Sequence, residues 1–341
     1  MKSVPVHDAV GMVLCHDVTR IVPGEFKGPA FKKGHIIAPR DIELLLDMGK
    51  ASVYVYDLAE GYLHEDDAAA RIASAAAGPG LQLTPPSEGR VNLTASREGL
   101  LKVNSAALAR INSVEDIVFA TLHSNLPVGR NRAVGGTRII PLVIAEEAVR
   151  RVEAVCREHA PVIEIKALRA MRVGIVTTGS EVFHSRIQDK FGPVLHGKFA
   201  ELNCPVLGQV FVSDDPAMTA QAIRKFVEDG AELVAVTGGM SVDPDDRTPS
   251  AIRDTGARVV TYGAPVFPGA MFLLAYMGEV PIIGLPGCVM YHRTSIFDLV
   301  VPRILAGEKL AREDFIDLGY GGYCSGCAKC IYPQCGFGKN A

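Results

Sequence analysis

The chain has 341 residues, a formal net charge of −3, and a composition that is 48% hydrophobic and 21% charged. That length suggests roughly two or three domains, with ample apolar residue for packed cores. The slight acidity argues against general nucleic-acid binding. No apolar run reaches membrane-spanning length, and residues 1–18 carry charges throughout with no apolar stretch of a signal peptide. The expectation is a cytoplasmic protein that contacts neither nucleic acid nor membrane.

Residues 1–57 read as a strand–loop–helix–strand module. Gly28, Pro29 and Gly34 punctuate its first half, Ile42, Leu45 and Leu46 share a helical face that stops at Gly49, and residues 52–56 read as a strand. An Ala-rich helix over 65–77 ends at Gly78-Pro79, which closes a first small α+β domain at 1–78. The Pro- and Gly-rich stretch 78–89 is the clearest linker in the chain. A β-rich middle domain follows over 79–168. Residues 91–103 read as a hairpin turning at Arg97-Glu98-Gly99, with strands predicted at 116–122, 137–144 and 162–168 and an amphipathic helix at 146–158. Arg130, Arg132 and Arg138 lie in or beside a Gly-containing loop, a composition that suits an anion but is also common on exposed loops.

From residue 169 to 307 the pattern changes. Apolar runs at 173–177, 206–212, 232–236 and 258–262 alternate with helical segments at 187–203 and 216–230, the second opened by Asp215-Pro216. Residues 271–276 and 280–285 pair as a hairpin, and a final helix runs from about 289 to 305. This order predicts an α/β domain: three α/β/α layers around a largely parallel sheet. In such sheets ligands sit beyond the carboxyl ends of the strands.

Three loops meet that description: Thr178-Gly179-Ser180-Glu181, Thr237-Gly238-Gly239 with Ser241, and Pro286-Gly287-Cys288. Glycines let backbone N–H groups approach an anion, and helix starts add positive partial charge. Amides of Gly179, Gly238, Gly239 and Gly287 are therefore expected to converge on one phosphorylated ligand, with hydroxyls of Thr178, Ser180, Ser241 and Thr248 alongside. Asp243, Asp245 and Asp246 follow the second loop, and carboxylates beside an anion site suit a divalent cation between the two. Phosphate-binding GxxxxGK[ST] and dinucleotide-binding GxGxxG patterns are absent.

Eight cysteines fall in two groups. Cys15, Cys156, Cys204 and Cys288 are scattered and read as small apolar residues. Cys324, Cys327, Cys330 and Cys335 crowd a Gly-rich tail, 308–341. Thiolates at that density bind Zn²⁺ or an iron–sulfur cluster, with [4Fe–4S] the favoured reading.

Residues 172–306 resemble the molybdopterin-binding domain shared by MogA, MoaB, MoeA and gephyrin. The resemblance rests on TGG at 237–239 followed by Asp246-Arg247-Thr248-Pro249, as in MogA, on Ser241-Val242 and Leu285-Pro286-Gly287, as in MoeA, and on Pro268-Gly269. It implies molybdopterin as ligand or substrate, with molybdate or tungstate as the incoming metal. It also implies a MoeA-like metal-insertion (molybdotransferase) activity, a homo-oligomer (dimer or trimer) and a recipient molybdoenzyme. On this resemblance Asp246 holds Mg²⁺ or positions the oxyanion, helped by Asp243 and Glu181. Three departures stand out: Ser180 replaces the family's TGDE aspartate, Asp243 and Pro244 stand where MoeA has a glycine and an acidic residue, and Cys288 replaces the asparagine of LPGN. The first favours a non-catalytic molybdopterin carrier or redox-linked sensor. A CinA-like nucleotide pyrophosphate hydrolase shares the fold and is the third reading.

Overall fold

A computed structural model describes residues 2–22, 26–56, 60–241 and 246–339. Contacts divide the chain into two compact units, residues 1–97, 101–124 and 129–165, and residues 98–100, 125–128 and 166–341.

In the first unit, Lys2–Pro5 pairs antiparallel with Ser52–Val55, and the helix Asp41–Asp47 lies between them in sequence. Leu14, Leu45, Val53 and Val55 are buried in their core. Leu46, expected on the inner face, is exposed, because the buried face runs through Asp41, Ile42 and Leu45. A four-stranded sheet has the order Leu81–Leu83, Arg90–Ala95, Ala133–Ile139, Ile117–Thr121. Gly99–Val103 belongs to a different sheet, so the predicted 91–103 hairpin is corrected: both strands form, but not with each other. The run expected at 137–144 is likewise split, into Ala133–Ile139 and Val143–Ala145. The helices Glu65–Ala76 and Glu146–Glu158 form as expected. Arg71 joins them, donating from Nε and Nη2 to Glu153 and from Nη1 to Glu146, each at 2.8 Å.

The second unit is built on a six-stranded sheet. Its strands are β1 (Val173–Thr178), β2 (Val206–Val212), β3 (Leu233–Thr237), β4 (Arg258–Tyr262), β5 (Leu273–Met277) and β6 (Val280–Leu285), in the order β2-β1-β3-β6-β5-β4. Neighbours among β2, β1, β3 and β6 run parallel, while β5 and β4 return antiparallel. Every residue of β1 and β3 is buried, as expected of strands covered on both faces.

Alternation along these strands separates two cores. Val173, Ile175, Leu233 and Ala235 pack with Leu195, Phe199, Phe297 and Val301 on one side. Val176, Val234 and Val236 pack with Ile223, Phe226 and Ile252 on the other. The helices supplying those side chains are α1 (Phe191–Glu201) and α4 (Ile296–Leu305) on the first face, and α2 (Pro216–Glu228) and α3 (Thr248–Asp254) on the second. The three-layer α/β/α reading holds.

Two helices differ from expectation. The segment predicted from 187 starts at Phe191, because the Asp189 carboxylate accepts from the N–H groups of Phe191 and Gly192 at 2.9 Å each and caps the helix there. The helix predicted over 289–305 is broken into Cys288–Tyr291 and α4. Ser295 begins the second piece through a capping box, accepting from Phe297 N–H while its own N–H donates to Asp298 Oδ2 at 2.8 Å. Among the described residues no helix is long and apolar enough to cross a membrane.

Candidate functional site

Sheet register decides whether the three glycine loops meet. Thr177 of β1 lies opposite Thr237 of β3, and Thr237 lies opposite Leu285 of β6. The three strands therefore end level, and the loops that follow share one rim of the sheet.

The first two loops are tied together by hydroxyls. Thr248 Oγ1 donates to Gly238 O at 2.8 Å and lies 3.2 Å from Thr178 Oγ1. A hydroxyl has one proton, and that of Thr248 is engaged with Gly238, so Thr178 is the donor in the second bond. Thr248 N–H also donates to Gly239 O at 3.2 Å. Both side chains are buried, which makes them supports for the loops.

Gly238 is held at φ +87°, and a Cβ there would lie 2.1 Å from Thr178 O; no other residue fits. Gly239 is also left-handed, at φ +54°. Gly179 N–H donates to Val212 O at 3.1 Å and Ser180 N–H to Asp214 Oδ2 at 2.9 Å. Those two amides are thus engaged within the fold, which narrows the expected donors to Gly238, Gly239 and Gly287.

Two cavities open on this rim. The larger, about 810 Å³, is lined by Thr178, Gly179, Glu181, Lys190, Gly238, Gly239 and Asp246 among others. The smaller, about 520 Å³, is lined by Ser241, Pro286, Gly287 and Cys288, and also by Pro268 and Gly269. Gly238, Gly239, Asp246 and Phe191 border both. Thr237 lies beneath, fully buried, and its Oγ1 has no hydrogen-bond partner among the described residues. Asp243 and Asp245 fall outside the described residues.

The charge balance of the larger cavity is informative. Glu181, Asp189, Asp214 and Asp246 line it, against Lys190 as the basic side chain. An anionic ligand entering an acidic cavity needs main-chain donors or a bridging cation to offset repulsion. Cys288 is pushed above the ordinary thiol range, chiefly by burial. That direction favours the thiol over the thiolate in this structure.

Sequence reading missed a brace behind the first loop. Gln209 Nε2 donates to Thr177 Oγ1 at 2.8 Å and to Asp189 Oδ2 at 2.7 Å, linking β2, the end of β1 and the start of α1. An aspartate two residues before an apolar helical face is a capping signal that would have found Asp189; nothing local marks Gln209 or Asp214.

All four tail cysteines line one cavity of about 250 Å³, with Cys327 and Cys330 exposed. Among the described residues no group of three or more His, Cys, Asp or Glu is disposed to hold a metal ion.

The second unit is thus a largely parallel α/β domain with glycine loops along one rim at its strand ends, the place where ligands of such sheets bind. Residues 174–306 match the family described as a probable molybdopterin binding domain, and residues 3–57 match a domain of unknown function (DUF8806).

Among curated proteins, the chain is 31% identical over 91 residues to a molybdenum cofactor biosynthesis bifunctional protein of Synechococcus elongatus, covering 27% of this chain and 28% of that protein. It is 35% identical over 77 residues to a CinA-like protein of Mycobacterium tuberculosis, covering 23% and 18%. The matches thus span less than a third of either relative's length. Among solved structures, the tungsten cofactor synthesizing protein MoaB from Pyrococcus furiosus is similar at 19% identity, covering 43% of this chain and 99% of that one with a TM-score of 0.34.

Proposed function

We propose that the rim binds molybdopterin through its phosphate, and that the protein serves molybdenum or tungsten cofactor assembly as a MoeA-like molybdenumtransferase. The observation that carries this reading is the level register of Thr177, Thr237 and Leu285, which sets three glycine loops side by side.

In this reading the amides of Gly238, Gly239 and Gly287 hold the phosphate, and Thr178 and Thr248 keep the second loop in its left-handed turn. Ser241 and Pro286 line the space for the pterin. Asp246 and Glu181 face the incoming molybdate or tungstate. Mg²⁺ would supply charge neutralisation between them and the oxyanions. Two carboxylates suit Mg²⁺, which takes its remaining ligands from phosphate and water.

The reading also includes a cytoplasmic homo-oligomer, dimer or trimer, that passes its product to a molybdoenzyme. Exposed Leu207, Val210 and Phe211 on edge strand β2 support self-association. Finer domain boundaries after residues 78, 168 and 307 belong to the same proposal.

Two other readings have specific support. Ser180 at the position of the family's loop aspartate favours a carrier or sensor that binds without inserting metal. Similarity to a CinA-like protein keeps the third reading, a CinA-like nucleotide pyrophosphate hydrolase, in view.

Molybdate-dependent cofactor formation, assayed without oxygen beside pterin binding, separates them. The transferase reading expects activity in the wild type and its loss, with binding kept, in Asp246→Ala. Binding without activity in both leaves a carrier. Pyrophosphate cleavage of a nucleotide substrate in place of pterin binding would overturn the proposal.

A further inference from the structure

Residues 320–339 carry little regular structure, yet both ends are fastened. Phe267 N–H donates to Gly322 O and Cys324 N–H donates to Phe267 O, each at 2.8 Å. At the far end Phe337 is buried in the main core, Tyr332 Oη donates to Asp298 O at 3.2 Å, and Gly338 N–H donates to Gly321 O at 2.9 Å. The fit at Gly338 is close: a Cβ there would lie 2.2 Å from Leu299 Cδ2.

Between these fastenings the turn has no visible means of support. Cys327, Cys330 and Ile331 are exposed. Within 325–335 the main-chain bond among the described residues is Gln334 N–H to Ile331 O. Ordering backbone costs about 1–2 kcal/mol per residue. Neither burial nor a hydrogen-bond ladder offsets that here. Small loop-rich segments of this kind are ordered by disulfides or metals.

The four thiols are what the turn has to offer. Cys324, Cys327, Cys330 and Cys335 border one cavity of about 250 Å³ with Thr294 and Arg293. Thr294 Oγ1 lies 3.2 Å from Cys330 Sγ, and the Tyr332 N–H is directed at the same sulfur. Hydroxyl and amide bonds of this kind stabilise a metal-bound thiolate.

Sequence spacing favours one of two centres. Cys324, Cys327 and Cys330 follow one another at C-x2-C-x2-C, the spacing of a ferredoxin cluster run, with Cys335 bordering the same cavity.

We propose that Cys324, Cys327, Cys330 and Cys335 hold a [4Fe–4S] cluster, one thiolate to each iron, and that this cluster orders residues 325–331. The centre lies beside the rim: Tyr291 lines both this cavity and the larger rim cavity, and Phe267, which fastens the tail, lines the smaller. The proposal stands apart from the pterin reading, since its donors and its cavity are separate.

The test uses the full chain purified without oxygen. Iron and acid-labile sulfide are expected at about four each per chain, with a broad visible absorption that bleaches on reduction by dithionite. Cys327→Ser and Cys330→Ser are expected to lose at least half of the iron, while Cys156→Ala retains it. Gel filtration and far-ultraviolet circular dichroism should show the variants folded. Chelation of iron from the wild type should speed proteolysis within 325–331 several-fold. One zinc per chain without iron, a metal-free chain with four titratable thiols or disulfides, or full iron in Cys327→Ser would each overturn the assignment.

Discussion

Thr178 and Thr248 stand 70 positions apart in the chain, yet their hydroxyl oxygens lie 3.2 Å apart. Through the Thr248 bond to Gly238 O they fix the glycine loop that both rim cavities share. The ends of β1 and β3 are thereby joined by side chains as well as by sheet register.

Replacing Thr248 with Val removes this tie and leaves Gly238 O and Thr178 Oγ1 without their partner. A buried hydrogen bond lost in this way costs about 1–3 kcal/mol. Urea unfolding of Thr248→Val should show a loss of that size, and Thr248→Ser should recover most of it.

Gly238→Ala should spare the fold more than the ligand. The φ of +87° strains any L side chain, and the new methyl would meet Thr178 O. The expected result is at least a tenfold loss of pterin affinity with the secondary structure retained, read by pterin fluorescence titration and circular dichroism. Unchanged affinity would remove this loop from the site.

Lys190→Ala tests the electrostatics of the larger cavity. The side chain is exposed, so its attraction for a phosphate is screened by salt. Affinity should fall about threefold to tenfold at low ionic strength and converge with wild type near 1 M salt, on the order of the screening expected there.

The first unit has a pH response of its own. Burial, then the Asp66 charge, pushes Glu65 from 4.5 up to about 7. The folded state therefore favours the protonated carboxyl. That stabilising contribution is complete below pH 4.5 and is lost as pH rises to about 7. Glu65→Gln should flatten this decline and raise stability at pH 8 by about 1–3 kcal/mol, measured by thermal or urea unfolding. An unchanged slope would place Glu65 among ordinary carboxylates.

Legibility in the sequence tracked the range of the interactions involved. The central strands were readable because buried parallel strands are apolar without interruption, as at 173–177 and 232–236. Pro249 stands in the first turn of α3, a position that proline favours, and Asp189 carries a capping signal that went unread. The 91–103 pairing was misassigned because a turn between two strands does not dictate that they share a sheet. The Gln209 brace and the engaged amides of Gly179 and Ser180 depend on neighbours far along the chain. No local pattern announces them.

The proposed function requires three strand-end loops to act on one ligand through main-chain amides. Amide NMR of the isotope-labelled chain titrated with molybdopterin, without oxygen, tests it most directly. The Gly238, Gly239 and Gly287 resonances should shift together along one saturation curve, while Gly179, engaged with Val212 O, moves less. Saturable pterin binding that leaves Gly287 unmoved, or that moves the three glycines at different ligand concentrations, would contradict a single shared site.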